Sequence, residues 1–156
     1  MKTKSNYHTK TAPAFLMALA LSCLVFSAQA QTGNPSIVGL WRVHFILDNG
    51  TESFQSFKQF HPDGLEMEVA NVNAIPDSCN GIFKVRADGT VQLFHVGWLI
   101  LDQNSPAGHF RETDIIRVSQ DGNHYSGTWH ERDFDANGNL VSEEGGTLKA
   151  TRLTVP

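Results

Sequence analysis

Cysteine is nearly missing from this chain, with 2 in 156 residues, Cys23 and Cys79. Cys23 sits in an apolar leader expected to be cleaved. Cys79 is then alone, and one thiol excludes an internal disulfide even where an oxidising compartment would permit one. Its readings are a small buried hydrophobe in a loop or strand end, an intermolecular disulfide, or a reactive thiol. Long hydrophobic runs are missing too. The longest, Ala14 to Phe26, has thirteen residues and is broken only by Ser22. A membrane-spanning helix needs about 20, so no transmembrane segment is expected. There is no G-x-S-x-G elbow and no phosphate loop, which disfavours serine and nucleotide enzymes.

The leader has three parts. Lys2, Lys4 and Lys10 give a positive start with no acidic residue before Asp48, the apolar run follows, and Ser27-Ala28-Gln29-Ala30 offers small residues at a cleavage site. Residues 1–30 are therefore expected to be a secretory signal peptide, cleaved after Ala30, and residues 31–156 one secreted or periplasmic domain. Ala20-Leu21-Ser22 is a poor triplet ahead of a lipidated Cys23. Of twelve basic residues the leader removes three, leaving nine against sixteen acidic ones, a net charge of −7. Basic charge in that short supply argues against nucleic acid or an anionic membrane surface as partner.

What the mature part does contain is turn chemistry at short intervals. Asp48-Asn49-Gly50, Pro62-Asp63-Gly64, Asp88-Gly89, Asp121-Gly122-Asn123 and Ala136-Asn137-Gly138-Asn139 separate strand-like runs. Asp-Gly and Asn-Gly suit tight hairpins because both residues tolerate positive φ. The spacing predicts eight strands, over about 37–47, 52–61, 65–70, 80–86, 90–101, 108–119, 124–135 and 140–154. Two longer connections, from Asn71 to Ser78 and from Asp102 to Gly108, carry prolines. Phe54, Phe57 and Phe60 recur every third residue as in a helical turn, but the β-rich flanks favour a bulged strand. Tight links make sequential strands antiparallel neighbours, and eight can close on themselves and remove their edges. The expected fold is all-β, an eight-stranded antiparallel up-and-down barrel.

Alternation assigns faces. Ile37, Gly39, Trp41, Val43 and Phe45 form one apolar row. The fifth strand carries two, Phe94, Val96, Trp98 and Ile100 against Val91, Leu93, His95, Gly97 and Leu99, which predicts cover on both sides for part of it. Glu66 and Glu68 alternate with Leu65, Met67 and Val69 and read as a solvated face. Glu143-Glu144 reads as surface.

Gly39-Leu40-Trp41 on the first strand, the eight meander strands and Arg152 near the end of the last resemble the lipocalin-like branch of the calycins. The resemblance implies that Trp41 closes one barrel end, that Arg152 packs across its ring, and that Gly39 allows the close approach. A guanidinium stacks well on an indole face. It also implies a pocket for a small apolar or amphipathic molecule. Allene-oxide-cyclase-like calycins share the strand count and do chemistry in that pocket.

The candidate lining is His95, Trp98, Glu112, Asp114, Tyr125, Trp129 and Glu131, clustered on strands five to seven. His95 and Trp98 have opposite parity, so without a bulge only one faces inward, and His95 is the expected one. A lone imidazole in an apolar row needs a partner, which Glu112 or Asp114 on the next strand could supply. The sixth strand has two phases. Phe110, Glu112, Asp114, Ile116 and Val118 are the expected inward set, and His109, Arg111, Thr113, Ile115 and Arg117 the alternative. The six mature histidines lack the paired spacing of a zinc helix or finger, so neither metal nor cofactor is expected. The expected function is small-molecule binding in the barrel. The alternatives are a cyclase, isomerase or lyase working by acid–base chemistry in the same pocket, and a filled barrel with no site.

Overall fold

The computed structural model describes residues 34–72, 79–100 and 106–156. The predicted leader and most of both longer connections lie outside the described residues. Eight strands follow one another: β1 (Gly39–Leu47), β2 (Glu52–Phe60), β3 (Leu65–Ala70), β4 (Cys79–Val85), β5 (Val91–Leu99), β6 (Gly108–Val118), β7 (His124–Phe134) and β8 (Leu140–Arg152). Each pairs antiparallel with the next, and β8 returns to β1 to close an up-and-down barrel. The hairpins are built as their sequences require. Asp63, Asp88, Asp121 and Asp135 each accept the backbone N–H two residues on. The glycines of these turns, Gly64, Gly89, Gly122 and Gly138, take the positive φ that closes them.

One barrel end is sealed by aromatic packing. Trp41 is fully buried, its ring centroid 4.8 Å from that of Tyr125. Phe60 meets Phe83 edge to face at 5.2 Å. Trp41 and Arg152 are direct cross-strand partners where β8 closes on β1, and the guanidinium carbon lies 4.1 Å from the indole centroid. The Arg152 nitrogens donate to the carbonyls of Gly122, Val38 and Ser36, and the Trp41 indole N–H donates to the Ile37 carbonyl at 2.8 Å. Gly39 has φ 139°, and a Cβ there would fall 2.4 Å from Arg152 Nη1. Gly39, Trp41 and Arg152 thus meet at this end of the barrel.

The phase of β6 is the expected one, with Phe110, Glu112, Asp114 and Ile116 buried. Two expectations about faces are corrected. Glu66 and Glu68 are buried inside the barrel, and Leu65, Met67 and Val69 stand outside in solvent. The outer row of β5, expected to be partly covered, is exposed among the described residues. Phe54 and Phe60 face inward and Phe57 outward, as β2 parity dictates without a helical turn. The bulge lies at Ser53, skipped where Phe45 pairs with Phe54 and Ile46 with Glu52.

Replacing Trp41 with alanine should cost about 3–5 kcal/mol, the range for large-to-small changes at a packed site. Urea unfolding of Trp41→Ala against wild type checks this, and near-equal stability would show that the indole does not close the barrel.

Candidate functional site

The middle of the barrel is ionic. Along β2 the inward positions are Phe54, Ser56, Lys58 and Phe60, so parity drives the lysine into the lumen, where it has no solvent exposure. Its Nζ lies 2.8 Å from Glu112 Oε1, 2.8 Å from Asp114 Oδ2 and 3.8 Å from Glu68 Oε2. The Phe45 ring centroid is 5.0 Å away. Burial opposes the ammonium charge, but the surrounding carboxylates outweigh it and hold the Lys58 pKa well above its ordinary value.

His95 lies on β5, three strands around the wall from Lys58. Its Nδ1 lies 2.8 Å from Glu66 Oε2, and its Nε2 lies 3.2 Å from Glu68 Oε2 in a geometry too poor for a hydrogen bond. A glycine makes the first contact possible. Glu66, Gly81 and His95 are successive cross-strand partners on β3, β4 and β5. A Cβ on Gly81 would fall 2.7 Å from Glu66 Oε2, so the missing side chain is the gap through which the carboxylate reaches the imidazole. Burial opposes protonation of His95, but Cys79, Glu66 and Glu68 raise its pKa well above the ordinary value.

The same row continues around the barrel. His95 pairs with Glu112, Glu112 with Glu131 on β7, and Glu131 with Glu144 on β8. Like charges directly opposite on neighbouring strands repel, and the carboxyls respond. Burial and the charges of Glu112, Asp133 and Glu144 push Glu131 up to about 9. Burial and Glu112 push Asp114 up to about 8 against the pull of Lys58. Burial also raises Glu68, Asp133 and Glu144. Glu131 and Asp133 are only partly buried, and Glu144 stands in solvent at the rim. The barrel thus grades from a sealed aromatic end to an ionic middle and a wet acidic mouth. Phe45, Phe54 and Trp129 give that half an apolar wall, with Phe45 and Phe54 stacked at 4.1 Å and Trp129 edge-on to Phe45 at 5.3 Å.

Of the expected lining, His95, Glu112, Asp114, Tyr125, Trp129 and Glu131 point inward. Trp98 does not. It is 63% exposed on the outer face of β5, opposite in parity to His95. Tyr125 belongs to the aromatic seal rather than to the ionic row. The imidazole's partner is also different from the expected one. Glu112 stands directly opposite His95, but Glu112 and Asp114 hold Lys58, and Glu66 takes the histidine. Sequence reasoning missed Lys58, although it shares parity with Phe54 and Phe60, and it misread Glu66 and Glu68.

In comparisons with known proteins, no family model, no curated protein and no solved structure matches this chain.

Two outcomes follow from the charge layout. Lys58→Met leaves Glu112, Asp114 and Glu68 without the ammonium they face and should cost about 3–5 kcal/mol in urea unfolding. Adding Glu112→Gln and Asp114→Asn should restore much of that loss. Stability should also fall as pH rises. A carboxyl whose folded pKa lies above its unfolded value near 4 binds its proton more tightly when folded. The stability it contributes is complete below that value and is lost as pH rises through about 8 for Asp114 and about 9 for Glu131. Asp133 and Glu144 act in the same direction. Thermal unfolding from about pH 5 to about pH 9 should show Tm falling by several degrees. Glu131→Gln should flatten the upper part of that decline.

Proposed function

We propose that the barrel is an exported, calycin-like binding protein whose acidic mouth takes a small, partly apolar molecule carrying positive charge. The observation that carries this reading is the outer part of the carboxyl row, Glu131 and Glu144 directly opposite one another on β7 and β8, beyond the Glu112 that Lys58 already holds. Such a row is costly unless positive charge reaches it. A proton answers that need in the free protein, and a bound ammonium or guanidinium answers it better by Coulomb attraction in a partly desolvated site. The partly exposed Phe54, backed by the buried Phe45 and Trp129, offers an aromatic surface beside it, which attracts both apolar groups and cations. The deep lumen is filled by Lys58, His95, Leu93, Leu148 and their neighbours, all essentially without solvent exposure. A ligand therefore seats above them, at the mouth.

The test is thermal-shift and calorimetric titration with amphipathic primary amines, their neutral alcohol analogues and their carboxylate analogues. Amines should raise Tm, and the neutral and anionic analogues should not. Binding should release protons, so its enthalpy should change with the ionisation enthalpy of the buffer. Glu131→Gln combined with Glu144→Gln should weaken amine binding by about tenfold or more, of the order expected for losing a charged contact. Equal binding of amine and alcohol would sink the reading.

Acid–base catalysis at the same mouth, of cyclase, isomerase or lyase type, is the second reading. It is favoured by Glu131, a partly exposed carboxyl that keeps its proton at neutral pH. Conversion of a bound compound, followed by mass spectrometry and abolished in Glu131→Gln, separates it from binding alone.

A further inference from the structure

We propose that His95 and Glu68 ligate a divalent transition-metal ion inside the barrel, with Glu66 as the residue that positions the imidazole. The three residues each bring a donor atom within 4.8 Å of the others, and all three are at least nine-tenths buried. Each also holds one buried polar atom with no hydrogen-bond partner among the described residues: Glu66 Oε1, Glu68 Oε1 and His95 Nε2. Unpartnered polar atoms are rare in folded proteins and call for an explanation each time. The unpartnered His95 Nε2 faces Glu68 at 3.2 Å, and a cation held between that nitrogen and Glu68 gives it a partner.

The contact distances fit this better than a proton does. His95 Nε2 and Glu68 Oε2 are 3.2 Å apart without hydrogen-bond geometry. Two ligands about 2.1 Å from one metal at a bond angle near 100° are separated by about that distance. An imidazolium clamped between the carboxylates would leave its Nε2–H without an aligned acceptor. Glu66 meanwhile does what carboxylates commonly do behind a ligating histidine. It accepts the Nδ1–H at 2.8 Å, fixes the tautomer and turns the Nε2 lone pair away from itself. Gly81 keeps the path between the two clear.

The division of the inner carboxyls points the same way. The deep lumen holds four of them, Glu66, Glu68, Glu112 and Asp114, and one lysine. Glu112 and Asp114 are bonded to Lys58 and Glu66 to His95 Nδ1, which leaves Glu68 as the carboxylate beside Nε2. An imidazole nitrogen with carboxylate oxygen suits Zn²⁺, Mn²⁺ or Co²⁺. Binding displaces the Nε2 proton, so affinity rises with pH. This inference rests on the inner residues and stands apart from the amine reading, which rests on the rim.

The experiment is titration of the EDTA-dialysed mature protein with zinc, manganese or cobalt chloride, read by calorimetry, thermal shift and, for cobalt, visible absorption. One equivalent should bind per chain, with a rise in Tm. His95→Gln and Glu68→Gln should each abolish that equivalent, Glu66→Gln should weaken it by about 10- to 100-fold, and Glu131→Gln with Glu144→Gln should leave it in place. Because the inner variants risk misfolding, wild type supplies a second readout. Nitrogen-15 NMR of the His95 ring should show zinc replacing the Nε2 proton while Nδ1 keeps its own. The proposal falls if no equivalent binds, if binding survives His95→Gln, or if the Nε2 proton is still present at saturating zinc.

Discussion

The ammonium group of Lys58 is the contact on which the inner arrangement turns. It reaches from β2 across the lumen to Glu112 and Asp114 on β6, joining residues 54 and 56 positions apart in sequence. Without it, the inward phase of β6 would bury two unpaired carboxylates, and the alternative phase would compete. With it, Glu112 and Asp114 are committed to the lysine, and His95 is left to the carboxylates of β3. The partition of the inner charges into a lysine group and a histidine group follows from that one choice. Ionic cores of this kind are seldom the most stable solution, since apolar residues of similar volume often do as well or better. Their value lies in chemistry or in fixing one arrangement.

The barrel separates its duties along its axis. At one end, Trp41, Phe60, Phe83 and Tyr125 fill the cross-section and Arg152 ties β8 to the segment ahead of β1. That end has apolar bulk and satisfied hydrogen bonds. At the other end carboxyls crowd together, and Glu131 holds a proton that an exposed acid would have lost. Grouping strained electrostatics at the mouth leaves the closed end free to hold the fold, the usual division between scaffold and site.

Strand boundaries and topology were legible because they rest on local chemistry. Aspartate and glycine at the hairpins leave little choice of turn, and tight turns leave little choice of neighbour. The closure was legible from Gly39, Trp41 and Arg152 together. Facing was legible only where polarity and burial agree. On β6 the apolar ends Phe110 and Ile116 gave the correct phase. On β3 the alternation of Leu65, Met67 and Val69 with Glu66 and Glu68 gives the wrong answer, because this wall is turned inside out, apolar residues to solvent and acids to the lumen. The inversion extends through Phe57, Ile82, Phe94, Val96 and Trp98, all exposed on β2, β4 and β5. No single strand reveals it. Lys58 between Phe54 and Phe60 was the available clue, since a buried lysine demands buried carboxylates opposite. Trp98 was misplaced for a related reason: an aromatic beside a candidate histidine invites inclusion, but strand parity forbids it.

The inverted polarity of β3 also bears on how the chain finds its fold. A one-residue slip of β3 would carry Leu65, Met67 and Val69 inward and release Glu66 and Glu68 to water, the arrangement that hydrophobic patterning alone rewards. The native register wins only once Lys58 and His95 are in place to receive the two acids, and those partners arrive from β2 and β5. Glu66 and His95 are 29 positions apart in sequence. Local preference and final structure therefore disagree along this strand, a point of frustration in an otherwise consistent landscape. Its resolution rests on charged partners from other strands, which ties the pairing of β3 to the ionisation of Lys58 and His95.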